Sequence, residues 1–231
     1  MKELIIAIDG PSGVGKSTLS KLLARELGYL NLDTGAMYRA VALAASRRGI
    51  DAQDRLALQR LCEEIVIAFA PSAAGETVLL DGEDVSAEIR SPEISLLTSD
   101  VAACPEVRVA MVARQREIGA QGGVVLEGRD IGTVVFPHAD VKFFLKASAD
   151  VRGRRRFLEL QAKGVDVGLA KTLAEVKARD NADTTRTTSP LRQADDAVLI
   201  DTSELDIPQV LERMLDAVAA ARQATQRQTR D

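Results

Sequence analysis

Leu4-Ile5-Ile6-Ala7-Ile8-Asp9-Gly10-Pro11-Ser12-Gly13-Val14-Gly15-Lys16-Ser17-Thr18-Leu19 is the stretch that decides the fold. Its first five residues are an unbroken apolar run, which reads as a strand buried on both faces. Gly10 to Ser17 fits G-x-x-x-x-G-K-[ST] without a mismatch, and Leu19, Leu22, Leu23 and Leu27 follow at helical spacing up to Gly28. Strand, glycine loop and helix together form a cradle for phosphate. The glycines let backbone N–H groups turn inward, and the helix N-terminus adds its dipole. The loop from Gly10 through Pro11, Ser12, Gly13, Val14 and Gly15 to Thr18 is therefore expected to hold a polyphosphate. Lys16 is expected to reach its β- and γ-phosphates, and Ser17 to ligate Mg²⁺.

The same alternation continues outward from this stretch. Leu30 to Leu32 reads as a short strand, and a helix runs from about Ala36 to Arg48. Another helix begins near Asp54 and carries Leu58 and Leu61. Ile65 to Phe69 and Thr77 to Leu80 are strand-like, and Asp81-Gly82 is a hairpin turn, so residues 65–90 are expected to form a small antiparallel insert. Ser91-Pro92 opens a helix with a cap residue and a proline at its first position. A longer helix follows Pro105, over about 106–119. Val124 to Leu126 and Val141 to Leu145 are further buried strands. Ser148 caps a helix expected to reach Lys163 before Gly164. Thr172 starts another helix toward Asp180, and Ala197 to Ile200 is the last strand. Pro208 begins the final helix, whose polar tail is expected to fray from about Arg222. Short apolar strands alternating with helices predict a parallel sheet covered on both faces, with ligands at the carboxyl ends of its strands.

Composition bounds what such a protein can do. The chain has 231 residues, enough for one large domain, and 46% of them are hydrophobic against 28% charged, the balance of a globular chain. Aromatics are only 3% with no Trp, which argues against readers of single-stranded nucleic acid that stack bases on aromatic platforms. A net charge of −4 argues against a dedicated duplex binder, so anionic ligands must be caught by local arginines. Cys62 and Cys104 make neither a disulfide framework nor a metal spacing, and a reducing cytoplasm is the simple reading. The first apolar run is too short for a signal peptide, no run reaches the length of a membrane helix, and the chain is expected to be complete from Met1.

The arginines gather where a second phosphate would sit. Arg39 follows the second strand, in Thr34-Gly35-Ala36-Met37-Tyr38-Arg39. Arg129 follows the third, in Glu127-Gly128-Arg129-Asp130. Arg108 lies beyond Pro105, and Arg152, Arg154, Arg155 and Arg156 crowd one helix. Arg179, Asp183 and Arg186 form an R-x₃-D-x₂-R set. A guanidinium fork donates two parallel hydrogen bonds, the geometry a phosphate accepts. Arg154 and Arg155 are expected on a solvated face, as is the single histidine, His138. No general base is evident. That suits an acceptor that is itself a phosphate monoester, already mostly a dianion at pH 7 and needing only alignment and charge neutralisation. No N-K-x-D guanine motif is present, which argues against a GTPase.

Four stretches carry a resemblance: Ile8 to Ser17; Asp33-Thr34-Gly35-Ala36-Met37-Tyr38-Arg39; Gly128-Arg129-Asp130-Ile131-Gly132-Thr133-Val134-Val135-Phe136-Pro137; and Arg179-Asp180 through Asp183 and Arg186 to Pro190-Leu191. Together they closely resemble bacterial cytidylate kinase, over nearly the whole chain. The resemblance implies an α/β fold, a single P-loop domain with a five-stranded parallel sheet, the antiparallel insert at 65–90 and a mobile lid over about 152–188. It implies transfer of the ATP γ-phosphoryl group to CMP or dCMP with Mg²⁺, by a cytoplasmic monomer with neither nucleic acid nor membrane as partner. Ser99, Arg108 and Asp130 would read the cytosine. Arg39, Arg129 and Arg186 would hold the acceptor phosphate, with Thr34 and Tyr38 beside the acceptor. Arg179 and Asp183 would contact the sugar, and Arg152 and Arg156 would close over ATP. Lys16, Arg129 and Arg186 would carry the catalysis. Glu127 stands where relatives often have Asp, Thr34 replaces a common Ser, and Ala182 and Thr184 make the lid less arginine-rich.

Two other readings stay open at the level of sequence. One keeps the fold and takes UMP, AMP or a non-nucleotide such as shikimate as acceptor. The other is a sensor that binds ATP and a partner without turnover, against which the arginine-rich second site speaks.

Overall fold

The computed structural model describes residues 3–72, 75–162 and 164–228. The chain divides into two compact units, one of residues 1–32 and 119–231, the other of residues 33–118.

The first unit is built on a five-stranded sheet of β1 (Ile5–Asp9), β2 (Leu30–Asp33), β6 (Val124–Gly128), β7 (Val141–Lys146) and β8 (Val198–Asp201), in the order β2-β6-β1-β7-β8. β1 sits at the centre, parallel to β6 with Asp9 level with Gly128, and parallel to β7 with Asp9 level with Phe144. Its uniform apolar run reflects burial on both faces, whereas edge strand β8 buries only Ile200. α1 (Lys16–Leu27) and α8 (Ile207–Gln228) pack Leu19, Leu23, Val210, Met214 and Val218 against Ile6, Ile8, Phe143 and Leu145. α6 (Ala149–Ala162) and α7 (Leu169–Thr185) pack on each other. They approach closely at Gly153, where a Cβ would lie 2.3 Å from Leu173 Cδ2 and 3.4 Å from Leu173 Cα.

The second unit carries α2 (Thr34–Arg47), α3 (Arg55–Glu64), α4 (Pro92–Ala103) and α5 (Pro105–Gly119, whose last residue belongs to the first unit). Its three-stranded sheet, β3 (Ile67–Ser72), β4 (Gly75–Leu80) and β5 (Glu83–Asp84), is antiparallel and in that order. The hairpin expected at Asp81-Gly82 joins β4 to β5, with Leu80 opposite Glu83 and φ of 51° and 87° at the two turn residues. Ser91 caps α4 by accepting the Ile94 N–H at 3.3 Å, as its sequence position predicts.

Two expectations need correction. α7 begins at Leu169 and continues to Thr185, because Thr172 donates its hydroxyl back to the Gly168 carbonyl at 3.1 Å instead of capping the helix. α8 does not fray at Arg222. That side chain donates to the Tyr29 hydroxyl at 3.1 Å and lies 5.5 Å from its ring centroid, and the helix runs on to Gln228. A one-turn π-helix at Ile131–Val135, for which the sequence reading assigns no element, follows β6. The expected helix end at Lys163 lies outside the described residues; α6 is described to Ala162.

Candidate active site

The phosphate cradle forms where β1 hands the chain to α1. Gly10 has φ of +150°, and a Cβ there would stand 2.3 Å from the Leu145 carbonyl oxygen on neighbouring β7. Only glycine lets the loop pass that close. Lys16 is buried and donates its ammonium to the Gly10 carbonyl at 2.8 Å and the Pro11 carbonyl at 2.7 Å, wrapping the loop around its own head group. Burial pushes the Lys16 ammonium well below the usual lysine range, and the Arg129 charge adds to this, while Glu127 and Asp9 oppose it. Gly13, Gly15, Ser17 and Thr18 are exposed around this buried cation. Polyphosphate arriving there would meet backbone N–H groups and a buried cation whose direct hydrogen bonds go to backbone carbonyls.

Behind Lys16 lies a buried acid to which the sequence reading gives no role. Asp9, the last residue of β1, accepts the Ile131 N–H at 2.8 Å on one carboxylate oxygen and the Gly132 N–H at 2.7 Å on the other. Burial lifts its carboxyl to about 6, against the pull of those two N–H groups. Its signal in the sequence is a charged residue ending a buried parallel strand, the end at which ligands sit.

The arginines expected to hold an acceptor fall on both units. In the first, Arg129 donates from Nε to Asp183 at 2.8 Å, and Arg186 lies 3.9 Å from the other Asp183 oxygen. Burial alone would raise the Asp183 carboxyl, but Arg129, then Arg179 and Arg186, outweigh it and hold the acid below its usual range. The spacing of Arg179 and Asp183 places both on one side of α7, and Arg186 caps that helix. Asp130 is buried at the N-cap of the π-helical turn. In the second unit, Asp33 caps α2 through the Ala36 N–H at 3.0 Å and binds Arg39 at 2.7 Å. Arg108 on α5 is buried, stacks its guanidinium 5.3 Å from the Tyr38 ring centroid and donates to the Ala102 carbonyl. Thr34 is buried, whereas Ser99 is exposed on α4.

Of the arginines on α6, Arg152 reaches the phosphate loop. It donates to the Ser12 carbonyl at 3.0 Å while its fork takes both oxygens of Asp180 at 2.9 and 2.5 Å. Arg156 turns to Glu159 on the same helix. Arg154 is exposed as expected, but Arg155 is not on a solvated face. It donates to the Thr202 hydroxyl and carbonyl, and that hydroxyl in turn donates to the Val14 carbonyl of the loop. Residues 152 and 155 share a helix face, so the face that braces the loop carries both. Lys142 is a further residue the sequence reading passes over, although a charge inside the run Val141 to Leu145 marks it. It is buried and donates to the Pro137 carbonyl at 2.6 Å and to Asp196 at 2.8 Å.

A family model described as cytidylate kinase matches residues 6–220. The chain belongs to the cytidylate kinase family. A cytidylate kinase of Syntrophotalea carbinolica is 64% identical over 222 residues, covering 96% of this chain and 94% of that protein. One of Geobacter sulfurreducens is 55% identical over 96% of this chain and 95% of its own. A gluconokinase crystal structure from Sinorhizobium meliloti superposes with a TM-score of 0.53 over 98% of both chains at 14% identity, a likeness of fold alone. Membership of the cytidylate kinase family makes the chain an enzyme that takes a phosphoryl group from a nucleotide. No described helix is long and apolar enough to cross a membrane.

Proposed function

We propose that this enzyme transfers the γ-phosphoryl group of ATP to CMP or dCMP, giving ADP and CDP or dCDP. The observation that carries the reading is electrostatic. One buried lysine in a phosphate loop lies close enough to Arg129 for the two cations to oppose each other's charge. Lys16 gives its ammonium to two backbone carbonyls and Arg129 shares Asp183 with Arg186, an arrangement that fits a site whose charge is completed by the phosphates of donor and acceptor.

Each residue then has a task. Backbone N–H groups of the loop and Lys16 hold the donor's phosphates. Arg39, Arg129 and Arg186 neutralise the acceptor phosphate, which attacks as its own dianion. That accounts for a site without a general base. Arg108 and Asp130 read the base, and Asp130 accepts from the exocyclic amino group that cytosine has and uracil lacks. Ser99 adds a hydroxyl to that set, and Arg179 and Asp183 meet the sugar. Arg152 and Arg156 belong to a lid of α6 and α7 that excludes water from the transfer.

Mg²⁺ fits the donor chemistry of the loop. Ser17 offers an exposed hydroxyl in the first turn of α1, next in the chain to Lys16. Among the described residues, no three His, Cys, Asp or Glu side chains gather into a protein-only cage. That set suits an ion which takes most of its ligands from phosphates and water. When bound, it would neutralise charge on the β- and γ-oxygens. Two free, buried cysteines support placement in the reducing cytoplasm.

An ADP-release assay with ATP and each of CMP, dCMP, UMP and AMP tests the proposal. CMP and dCMP are expected to be turned over at least ten-fold more efficiently than UMP, and AMP hardly at all. No turnover of CMP overturns it.

A further inference from the structure

The loop after β6 bears Arg129 and Asp130, and two buried charges from the neighbouring strands hold it. At its start, Asp9 spends both carboxylate oxygens on successive backbone donors, Ile131 N–H and Gly132 N–H. At its end, Lys142 on β7 donates to the Pro137 carbonyl. Between them, Gly132 lies against the Lys142 stem, where a Cβ would meet Lys142 Cδ at 3.1 Å.

The first N–H groups of any helical turn lack partners within it, and a side chain at the N-cap usually supplies one. Asp130 occupies that N-cap position and makes no such bond. Asp9, from the adjacent strand, caps the turn in its place. The register explains why it can, since Asp9 is level with Gly128 and its side chain is delivered just beyond the strand ends. Burying a carboxylate beside Asp130 is costly, and an apolar residue ending β1 would avoid that cost. The cost is met where the loop must be held in one conformation.

We propose that Asp9 is a positioning residue for the acceptor nucleotide: by gripping the Ile131 and Gly132 N–H groups together, it fixes the direction in which Arg129 and Asp130 point. The inference rests on the reading of those two residues as acceptor contacts. It makes discrimination between amino-bearing and amino-lacking bases depend on a residue that touches no base.

The test is Asp9→Asn in the full-length enzyme. The amide is isosteric and removes a buried charge, yet it can accept only one of the two N–H groups. KM for CMP is expected to rise at least ten-fold, and the preference for CMP over UMP in kcat/KM to narrow at least ten-fold. KM for ATP is expected to move less than three-fold, with a melting temperature near that of the wild type. Asp9→Ser, whose hydroxyl also accepts one N–H, repeats the measurement should the amide not fold. An unchanged CMP KM and CMP/UMP preference overturns the positioning role alone. Equal rises in KM for CMP and ATP overturn it in favour of general damage. A wild-type enzyme that phosphorylates no nucleoside monophosphate removes the acceptor reading, and this inference with it.

Discussion

Single side chains in this site hold charge at a cost, and that cost can be measured. Asp9 binds its proton more tightly folded than unfolded, since burial lifts its carboxyl from 3.8 to about 6. The folded state is therefore favoured by protonation, and Asp9's contribution to stability falls as pH rises through that window. By the pKa shift this amounts to about 3 kcal/mol. Urea melts of the wild type and Asp9→Asn across that range are expected to show the stability difference moving against the wild type by about this much. A difference that stays flat with pH would refute it. Arg129 behaves differently. Its loss leaves Asp183 with Arg179 and Arg186, so Arg129→Ala is expected to cost less than about 1.5 kcal/mol of stability. The same variant is expected to lose at least roughly 10²-fold in kcat/KM for CMP. Near-normal turnover would sink its catalytic role. Lys16, Arg129 and Asp183 can be picked out from the sequence because motif spacing marks them. Asp9 and Lys142 are marked only as charges at the end of or inside a buried strand; what they hold is not legible, since Asp9 works on backbone groups more than a hundred positions away and Lys142 reaches both Pro137 and the distant Asp196.

At the level of elements, α6 and α7 depend on a close crossing. Gly153 leaves no room for a side chain against Leu173. Gly153→Val is expected to push the two helices apart, breaking the Arg152–Asp180 pair and freeing the Ser12 carbonyl from its guanidinium partner. KM for ATP is expected to rise several-fold, with a loss of about 1–3 kcal/mol in stability from overpacking. An unaltered KM for ATP would show that the pair does not brace the loop. Most elements were legible in the sequence because their signals are local, such as the apolar runs of β1, β6 and β7, the Ser91-Pro92 cap and the Asp81-Gly82 turn. The exceptions have non-local causes. Arg222 of α8 meets Tyr29 from near the start of the chain, and the π-helical turn takes its cap from Asp9 on another strand.

For the whole molecule, ligand binding and folding are linked. A ligand that binds only the folded chain at a hundred times its dissociation constant adds about 2.7 kcal/mol. For a chain of this size that raises the melting temperature by about 5–11 °C. CMP is expected to produce such a rise and UMP a smaller one at equal concentration. A larger shift with UMP would contradict the base-reading role of Asp130. The family itself was legible from four stretches spread over the chain. The division into a unit made of two separated segments and one made of a continuous segment was not. Nothing in the composition changes at Asp33 or Ile118, and only the pairing of β1 with strands far along the chain reveals it.

That pairing has a consequence for how the protein is born. β1 leaves the ribosome well before both strands that flank it, Val124 opposite Ile5 and Val141 opposite Ile6. At roughly 5–20 residues per second, a sticky Leu-Ile-Ile-Ala-Ile segment waits about 6–24 s for its first neighbour. Residues 33–118 emerge in that interval as one uninterrupted piece and can collapse early. The nascent chain thus carries an apolar strand that has no pairing partner until the chain beyond residue 124 has followed it.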